Sequence, residues 1–372
     1  MFGNKRKSVR SKSARRTPPA TRQHRSHSLL DWLAGVGATD IAVDLGSANT
    51  VVYVRGEGVV VREPSVLAVD RETREVVALG TKAAALAGRV PQELALVRPV
   101  ERGVITDFSA AAHLVRELVG RQVSGLWKRP RLVMTMAGRQ SDVAAAALLG
   151  TAAALGARKA VRLSGTLAAA YGADLDKAKT AGLLVADLGA GKTDLAVVDA
   201  NGLVDTEVLP LGSMDIDRAI AKIVLQETGL LLGPLTCERL KQRFCDVDEN
   251  AMATSLCAGK DSQTGLPRQT EITAAMLRPA LIPYAHQIAQ ALHEVLHQTR
   301  PELSQWISSH GIMLVGGGAL LRGLDRYLTQ FLGVPVYLGE DPLYAVAIGA
   351  GKALWEMPLL RDSLGFENPH SA

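Results

Sequence analysis

Residues 40–55 read DIAVDLGSANTVVYVR, and residues 183–199 read LLVADLGAGKTDLAVVD. Each stretch is an apolar β-rich run, an Asp-Leu-Gly followed by small residues, and a second β-rich run. They are two hairpins of one design, with Asp44 and Asp187 143 positions apart. An Asp at the end of a first strand, with glycine in the turn, brings unobstructed N–H donors close to a ligand. Such donors suit phosphate oxygens, and a carboxylate beside them suits a hydrated magnesium ion. One such hairpin is merely a good turn, but a pair facing one cleft would grip a polyphosphate from both sides. A third turn follows the strand predicted at Ile312–Val315, where Gly316, Gly317 and Gly318 lead toward a helix expected to begin near Ala319. Glycines between a strand and a helix N-terminus let a ribose or phosphate approach the helix end.

Working outward, short β-rich runs alternate with Ala/Leu-rich amphipathic stretches from Asp40 onward, which predicts an α/β fold. Strands are expected at 41–44, 51–55, 59–62, 66–69, 132–136, 183–186, 195–199 and 312–315, and helices at 110–121, 141–155, 164–172, 215–226, 236–244, 283–299 and 320–332. With 372 residues, 47% of them hydrophobic, the chain can bury more than one core, and disorder of the whole is excluded. Cys237, Cys245 and Cys257 lack CxxC spacing and have no neighbouring His, so neither a disulfide framework nor a zinc site is indicated.

The formal charge of +5 hides an asymmetry. Residues 1–30 carry nine Lys or Arg and no acid, so the remainder is at −4. That Ser/Arg/Pro-rich tail is expected to be disordered. It is followed by Leu29, Leu30, Trp32 and Leu33 at near-helical spacing, and an amphipathic segment beside a polybasic tail is a two-signal membrane attachment. Leu126 and Trp127, next to Lys128 and Arg129, form a second membrane candidate. The chain has no run long enough to span a bilayer and no export signal core, and the tail lacks the interleaved aromatics of a specific nucleic-acid binder.

The order of two phosphate hairpins and a late Gly-Gly-Gly turn resembles the actin, heat-shock chaperone and sugar-kinase superfamily. Finer matches resemble the MreB family of bacterial actins: DIAVDLGSANTVVYV at 40–54, EPSV at 63–66, Arg98-Pro99, GVITDF at 103–108, KDSQTGLP at 260–267, GGGALLRGLD at 316–325, EDPL at 340–343 and GAGK at 349–352. The likeness covers about residues 40 to 356. It implies a two-lobed actin-like fold with four subdomains: lobe I over 40–155 with a small insert near 58–100, lobe II over 156–356 with one near 215–275, and tails at 1–39 and 357–372. It further implies ATP or ADP with Mg²⁺ in the cleft. Gly46, Ser47, Ala48 and Asn49 would contact phosphates, with Gly189, Ala190 and Gly191 completing the second turn. Asp44 and Asp187 would organise the metal, Glu238 and Lys241 would hold ribose and base, and Gly316 to Ala319 would line the adenosine. The implied role is a self-polymerising cytoskeletal subunit, or a co-polymer with another MreB, at the inner membrane surface with the cell-wall elongation machinery.

Four departures qualify that expectation. Leu163-Ser-Gly-Thr166 stands where the family has Glu-Glu-Pro, so Gly165 falls on the position of the Glu that polarises the attacking water. Lys192 replaces a Thr that also positions that water, and it puts a cation beside the phosphates or else points to solvent. Met136-Ala137-Gly138 replaces Pro-Ser-Gly, and Ser213-Met214 replaces Gly-Asp. Glycine can neither orient water nor accept a proton, so nucleotide binding with weak turnover is expected. The alternatives are a phosphotransferase of the same superfamily, which would need a catalytic carboxylate, and a module binding membrane or nucleic acid through the tail.

Overall fold

The computed structural model describes residues 40–122, 130–136, 142–172, 182–199 and 202–356. The four hydrophobic residues at 29–33 and the pair Leu126 and Trp127 lie outside them, as do Ala137 and Gly138.

Two five-stranded sheets organise the chain, and they share one topology. In the first, Gly58–Pro64, Asn49–Val54 and Asp40–Leu45 run antiparallel, and Arg131–Met136 and Lys159–Ser164 then add in parallel. In the second, Gly202–Leu209, Thr193–Asp199 and Leu183–Leu188 are the antiparallel trio, with Ile312–Val315 and Val336–Leu338 parallel. The duplication visible in the two hairpins therefore extends to the whole sheet around each. The first sheet reaches Ser164, beyond the lobe boundary expected at 155.

The central strands alternate between two cores. Ile41, Val43 and Leu45 face one side of the first sheet, with Leu114, Val115 and Leu118 of helix Phe108–Gly120. Ala42 faces the other side, where Val133, Val161, Val185, Ala196 and Val315 of both sheets close on helices Gly165–Gly172 and Ala345–Glu356. Strands buried on both faces read as continuous apolar runs, which is why these were legible. The two helices meet at contact distance. A Cβ on Gly172 would lie 1.9 Å from the Ala345 carbonyl oxygen, and one on Gly349 would lie 1.8 Å from that of Ala168.

Helix Ala274–Gln298 starts nine residues before the expected 283, running through Pro279 and Pro283. Burial of Leu277, Ala280 and Leu281 outweighs the loss of those backbone hydrogen bonds. The small sheet of Val76–Leu79, Leu67–Asp70 and Leu94–Val97 lies between the first hairpin and residue 100; another, of Leu230–Leu231, Thr254–Asp261 and Pro267–Thr273, follows helix Ser213–Thr228.

Candidate functional site

The two hairpins share the same close glycine turn. In the first, the Gly46 N–H donates to the Asn49 carbonyl at 3.1 Å, and a Cβ at Gly46 would sit 2.8 Å from that oxygen. In the second, a Cβ at Gly189 would sit 2.9 Å from the Lys192 carbonyl oxygen. Only glycine fits either turn. Thr50 and Thr193, which stand at matching positions at the start of each returning strand, are both fully buried. Thr50 shares a hydrogen bond with Ser65 (2.9 Å), and Thr193 donates to the Leu211 carbonyl (2.9 Å).

The hairpin tips converge. A Cβ on Gly191 would meet Ser47 Oγ at 2.8 Å and the Arg102 Cα at 2.8 Å. Ser47 Oγ accepts from the Gly103 N–H at 2.9 Å, and the Ala48 carbonyl accepts from the Ser65 N–H at 2.8 Å. The Arg102 guanidinium crosses to the second lobe, donating to the Pro210 carbonyl and pairing with Asp215 at 3.2 Å. From that side, the N–H groups of Ser213 and Met214 donate to the carbonyls of Gly189 (3.0 Å) and Ala190 (2.9 Å). The helix start is thus held by backbone, which the Ser213-Met214 departure leaves intact.

The glycine triplet completes the assembly. Gly316 adopts φ 82°, and a Cβ there would lie 2.4 Å from Asp187 Oδ1. Gly317, Gly318 and Ala319 form a 3₁₀ turn spanning Gly317–Leu320 rather than the first turn of an α-helix. The helix begins only at Leu324, behind left-handed Gly323, because two positive-φ glycines interrupt the run.

Electrostatics set this place apart. Burial pushes the Asp44 carboxyl up to about 6, against a hydrogen bond from Thr135 Oγ1 (2.8 Å) and the charge of Lys192. Burial also pushes Asp187 up to about 7, helped by Asp194 and Asp44 and opposed by Lys192. Asp194 is raised by burial despite its ion pair with Lys192. Lys192 is 14% exposed and Asp194 4%. Solvent-pointing is therefore the wrong description of Lys192: its chain folds back on the adjacent strand. Asp194, Arg102 and Asp215 had not been singled out from sequence. Of these, Asp194 carried a readable signal, since residues two apart on a strand share a face.

Glu238 and Lys241 lie on helix Pro234–Phe244, as their spacing requires. Lys241 turns to the neighbouring helix, donating to Asp217 (2.7 Å) and to the Ser213 carbonyl (3.0 Å), while Glu238 is exposed and accepts from Gln242 (3.3 Å). Gly165 is the first residue of its helix.

Paired sheets of one topology, hairpins meeting tip to tip and a glycine turn against the second Asp define an actin-like subunit. Residues 38–361 match the family model described as MreB/Mbl protein. The chain is 34% identical over 325 residues to the cell shape-determining protein Mbl of Bacillus subtilis, covering 87% of this chain and 98% of that protein. It is also 34% identical over 333 residues to the cell shape-determining protein MreB of Escherichia coli K12, covering 88% and 96%. MreB 5 of Spiroplasma citri bound to AMPPNP superposes with a TM-score of 0.80 at 28% identity, over 87% of this chain and 98% of that one. A MamK double helical filament subunit shares the fold with a TM-score of 0.74, at 22% identity over 86% and 99%. The chain belongs to the MreB/Mbl family.

Proposed function

We propose that this protein is a nucleotide-binding cytoskeletal subunit that polymerises into filaments governing cell shape. The convergence of the Gly46–Asn49 and Gly189–Lys192 turns beside Gly316 carries the reading: three close backbone approaches around two carboxylates are what a polyphosphate on a ribose requires. Relatives are named for cell-shape determination, and the Spiroplasma citri MreB5 structures hold AMPPNP or ADP, which supports the same ligand class here. Head-to-tail contact between identical subunits that does not close into a ring produces a filament.

Asp44 and Asp187 are hard oxygen donors of the kind magnesium takes through water, and they would hold it against the phosphates. Bound there, the ion would neutralise phosphate charge. Gly165 brings no carboxylate to the water position, so turnover is slow. The basic tail and the apolar residues after it support attachment of the filament to the inner face of an anionic membrane, beside the wall-elongation machinery.

Calorimetry with ADP and AMPPNP, together with sedimentation of the purified chain with and without nucleotide, tests the central reading; the expected result is bound nucleotide and a nucleotide-dependent pellet. Absence of heat with either nucleotide refutes it. A variant lacking residues 1–36 should bind nucleotide normally and lose most of its co-sedimentation with anionic liposomes, since each juxtamembrane cation contributes about 1 kcal/mol. Equal co-sedimentation removes the tail from the membrane account.

A further inference from the structure

The long helix Ala274–Gln298 carries a pattern that the nucleotide cleft does not use. Residues 293–297 read His-Glu-Val-Leu-His, and the structure sets all five on that one helix. Positions four apart are neighbours on a helix surface, with Cβ atoms about 5–6 Å apart, so two imidazoles at that spacing can reach one ion. His293 and His297 are both exposed, whereas Leu292 and Val295 are buried in the core of the second lobe and fix the face that the pair presents. The last turn is held as well. The Val295 carbonyl accepts from the Thr299 N–H at 2.9 Å and from Thr299 Oγ1 at 2.6 Å, and the Leu296 carbonyl accepts from Ser304 Oγ at 3.2 Å. Two other histidines are engaged in packing: His286 meets the Phe331 ring edge-on, and His310 stacks on Trp306 with Nδ1 at 3.0 Å from that residue's carbonyl oxygen. His293 and His297 make no such contact among the described residues.

Independently of the nucleotide reading, we infer that His293 and His297 chelate one transition-metal dication, of the zinc, nickel or copper class, on this helix face. Imidazole nitrogen suits those ions, at metal–nitrogen distances of about 2.0–2.1 Å, while magnesium and calcium prefer oxygen. A cation is also favoured beside the last turn of a helix, where the carbonyl ends of the peptide dipoles gather. Glu294 raises the question of hydrolysis, since the same five-residue pattern supplies two ligands and the general base of zinc peptidases. The surroundings answer against it. A hydrolytic zinc centre takes three protein ligands and keeps a further position for water. Among the described residues no group of three or more His, Cys, Asp or Glu is arranged to hold a metal. The pair therefore leaves the remaining positions of the ion to water, and the site binds metal without being built for peptide cleavage.

The test is calorimetry of the full chain with zinc chloride and with nickel chloride, nucleotide absent and magnesium in excess. The expected result is a binding step of one ion per chain that magnesium does not compete away. His293→Ala and His297→Ala should each weaken that step by about tenfold or more, the loss that removing even a supporting group brings to a metal site, and the two together should abolish it. Both positions are exposed, so melting of the variants should match wild type. The decisive variant keeps the histidine count and breaks the spacing. His297→Gln with Gln298→His moves the second imidazole about 100° around the helix, and it should bind no better than His297→Ala. Wild-type affinity in the spacing variant overturns the inference, as does an unchanged zinc step in the double alanine variant. No zinc or nickel step in wild type, or one that magnesium removes, overturns it equally. The nucleotide reading stands apart from these outcomes, because ADP titrations of the same variants should match wild type.

Discussion

Arg102 holds a backbone conformation that its residue type disfavours. With φ 48°, followed by Gly103 at φ 76°, it forms the two-residue turn between Val100–Glu101 and Val104–Ile105, a place suited to Asn, Asp or Gly. A non-glycine residue there costs about 1 kcal/mol or more, and surrounding contacts must hold it. Those contacts are the Pro210 carbonyl and Asp215, both on the far side of the seam between the sheets. Arg102 is thus a tie between lobes next to the two hairpin turns. Arg102→Asn relaxes the turn and cuts the tie. The expected outcome is a melting temperature within a few degrees of wild type, as the exposed ion pair itself contributes at most about 1 kcal/mol, with severalfold faster release of a fluorescent nucleotide in stopped flow. An unchanged release rate would rule out the tie. Sequence alone could not reach this residue, because its partners are more than a hundred positions away. The Asp44 and Asp187 turns were legible for the opposite reason: everything that shapes them lies within a few residues. Lys192 fell between these cases. Its position was readable, while the carboxylate that pairs with it, two residues further along the chain, was not singled out.

At the scale of elements, burial on both faces made the central strands and the hairpins plain, while edge and inserted elements escaped. Strands Thr254–Asp261 and Pro267–Thr273 are polar and largely exposed, so no apolar alternation marks them. Helix Ala345–Glu356 escaped because it is nearly surrounded: Ala345, Ala347, Ala350, Ala353 and Leu354 are buried, its glycines abut backbone or the Tyr53 ring, and Lys352 alone is exposed among residues 345–354. A helix with so narrow a wet face has little amphipathic period to read. The same crowding gives a paired prediction. Gly349→Ala would place a methyl 1.8 Å from the Ala168 carbonyl oxygen, forcing apart the helices that join the two sheets. Overpacking of this kind costs about 1–3 kcal/mol or more, and at roughly 2–4 °C per kcal/mol for a chain of this size, melting should fall by several degrees. Gly150 lies within helix Asp142–Ala154 with nothing near its Cβ position, so Gly150→Ala should instead stabilise by about 0.5–1 kcal/mol. Differential scanning calorimetry of both variants checks the contrast; equal shifts would mean that the close helix contact carries no energetic weight.

For the whole molecule, the question is what limits the lifetime of a filament. If bound nucleotide is hydrolysed, subunits change state and filaments turn over; if it is not, they persist until a partner removes them. Gly165 and Lys192 stand at the two positions that the family resemblance gives to holding the lytic water. The first has no side chain, and the ammonium of the second is tied to Asp194. General-base assistance is worth about 10²- to 10⁴-fold, so its absence should leave phosphate release near background even with the cleft loaded. Restoring the missing groups reverses the argument. Gly165→Glu puts a carboxylate at the first turn of helix Gly165–Gly172, and Lys192→Thr frees the turn of its cation, at the cost of leaving buried Asp194 without its ion pair. Phosphate release by the double variant should rise by up to about 10²-fold over wild type, and filaments seen by light scattering should shorten in lifetime to match. Thr166, buried behind the new Glu where the family has proline, limits how well that carboxylate is aimed. Steady-state phosphate release by wild type as fast as that of an ordinary MreB under the same conditions would show that another residue activates the water, and the slow-turnover account would fall.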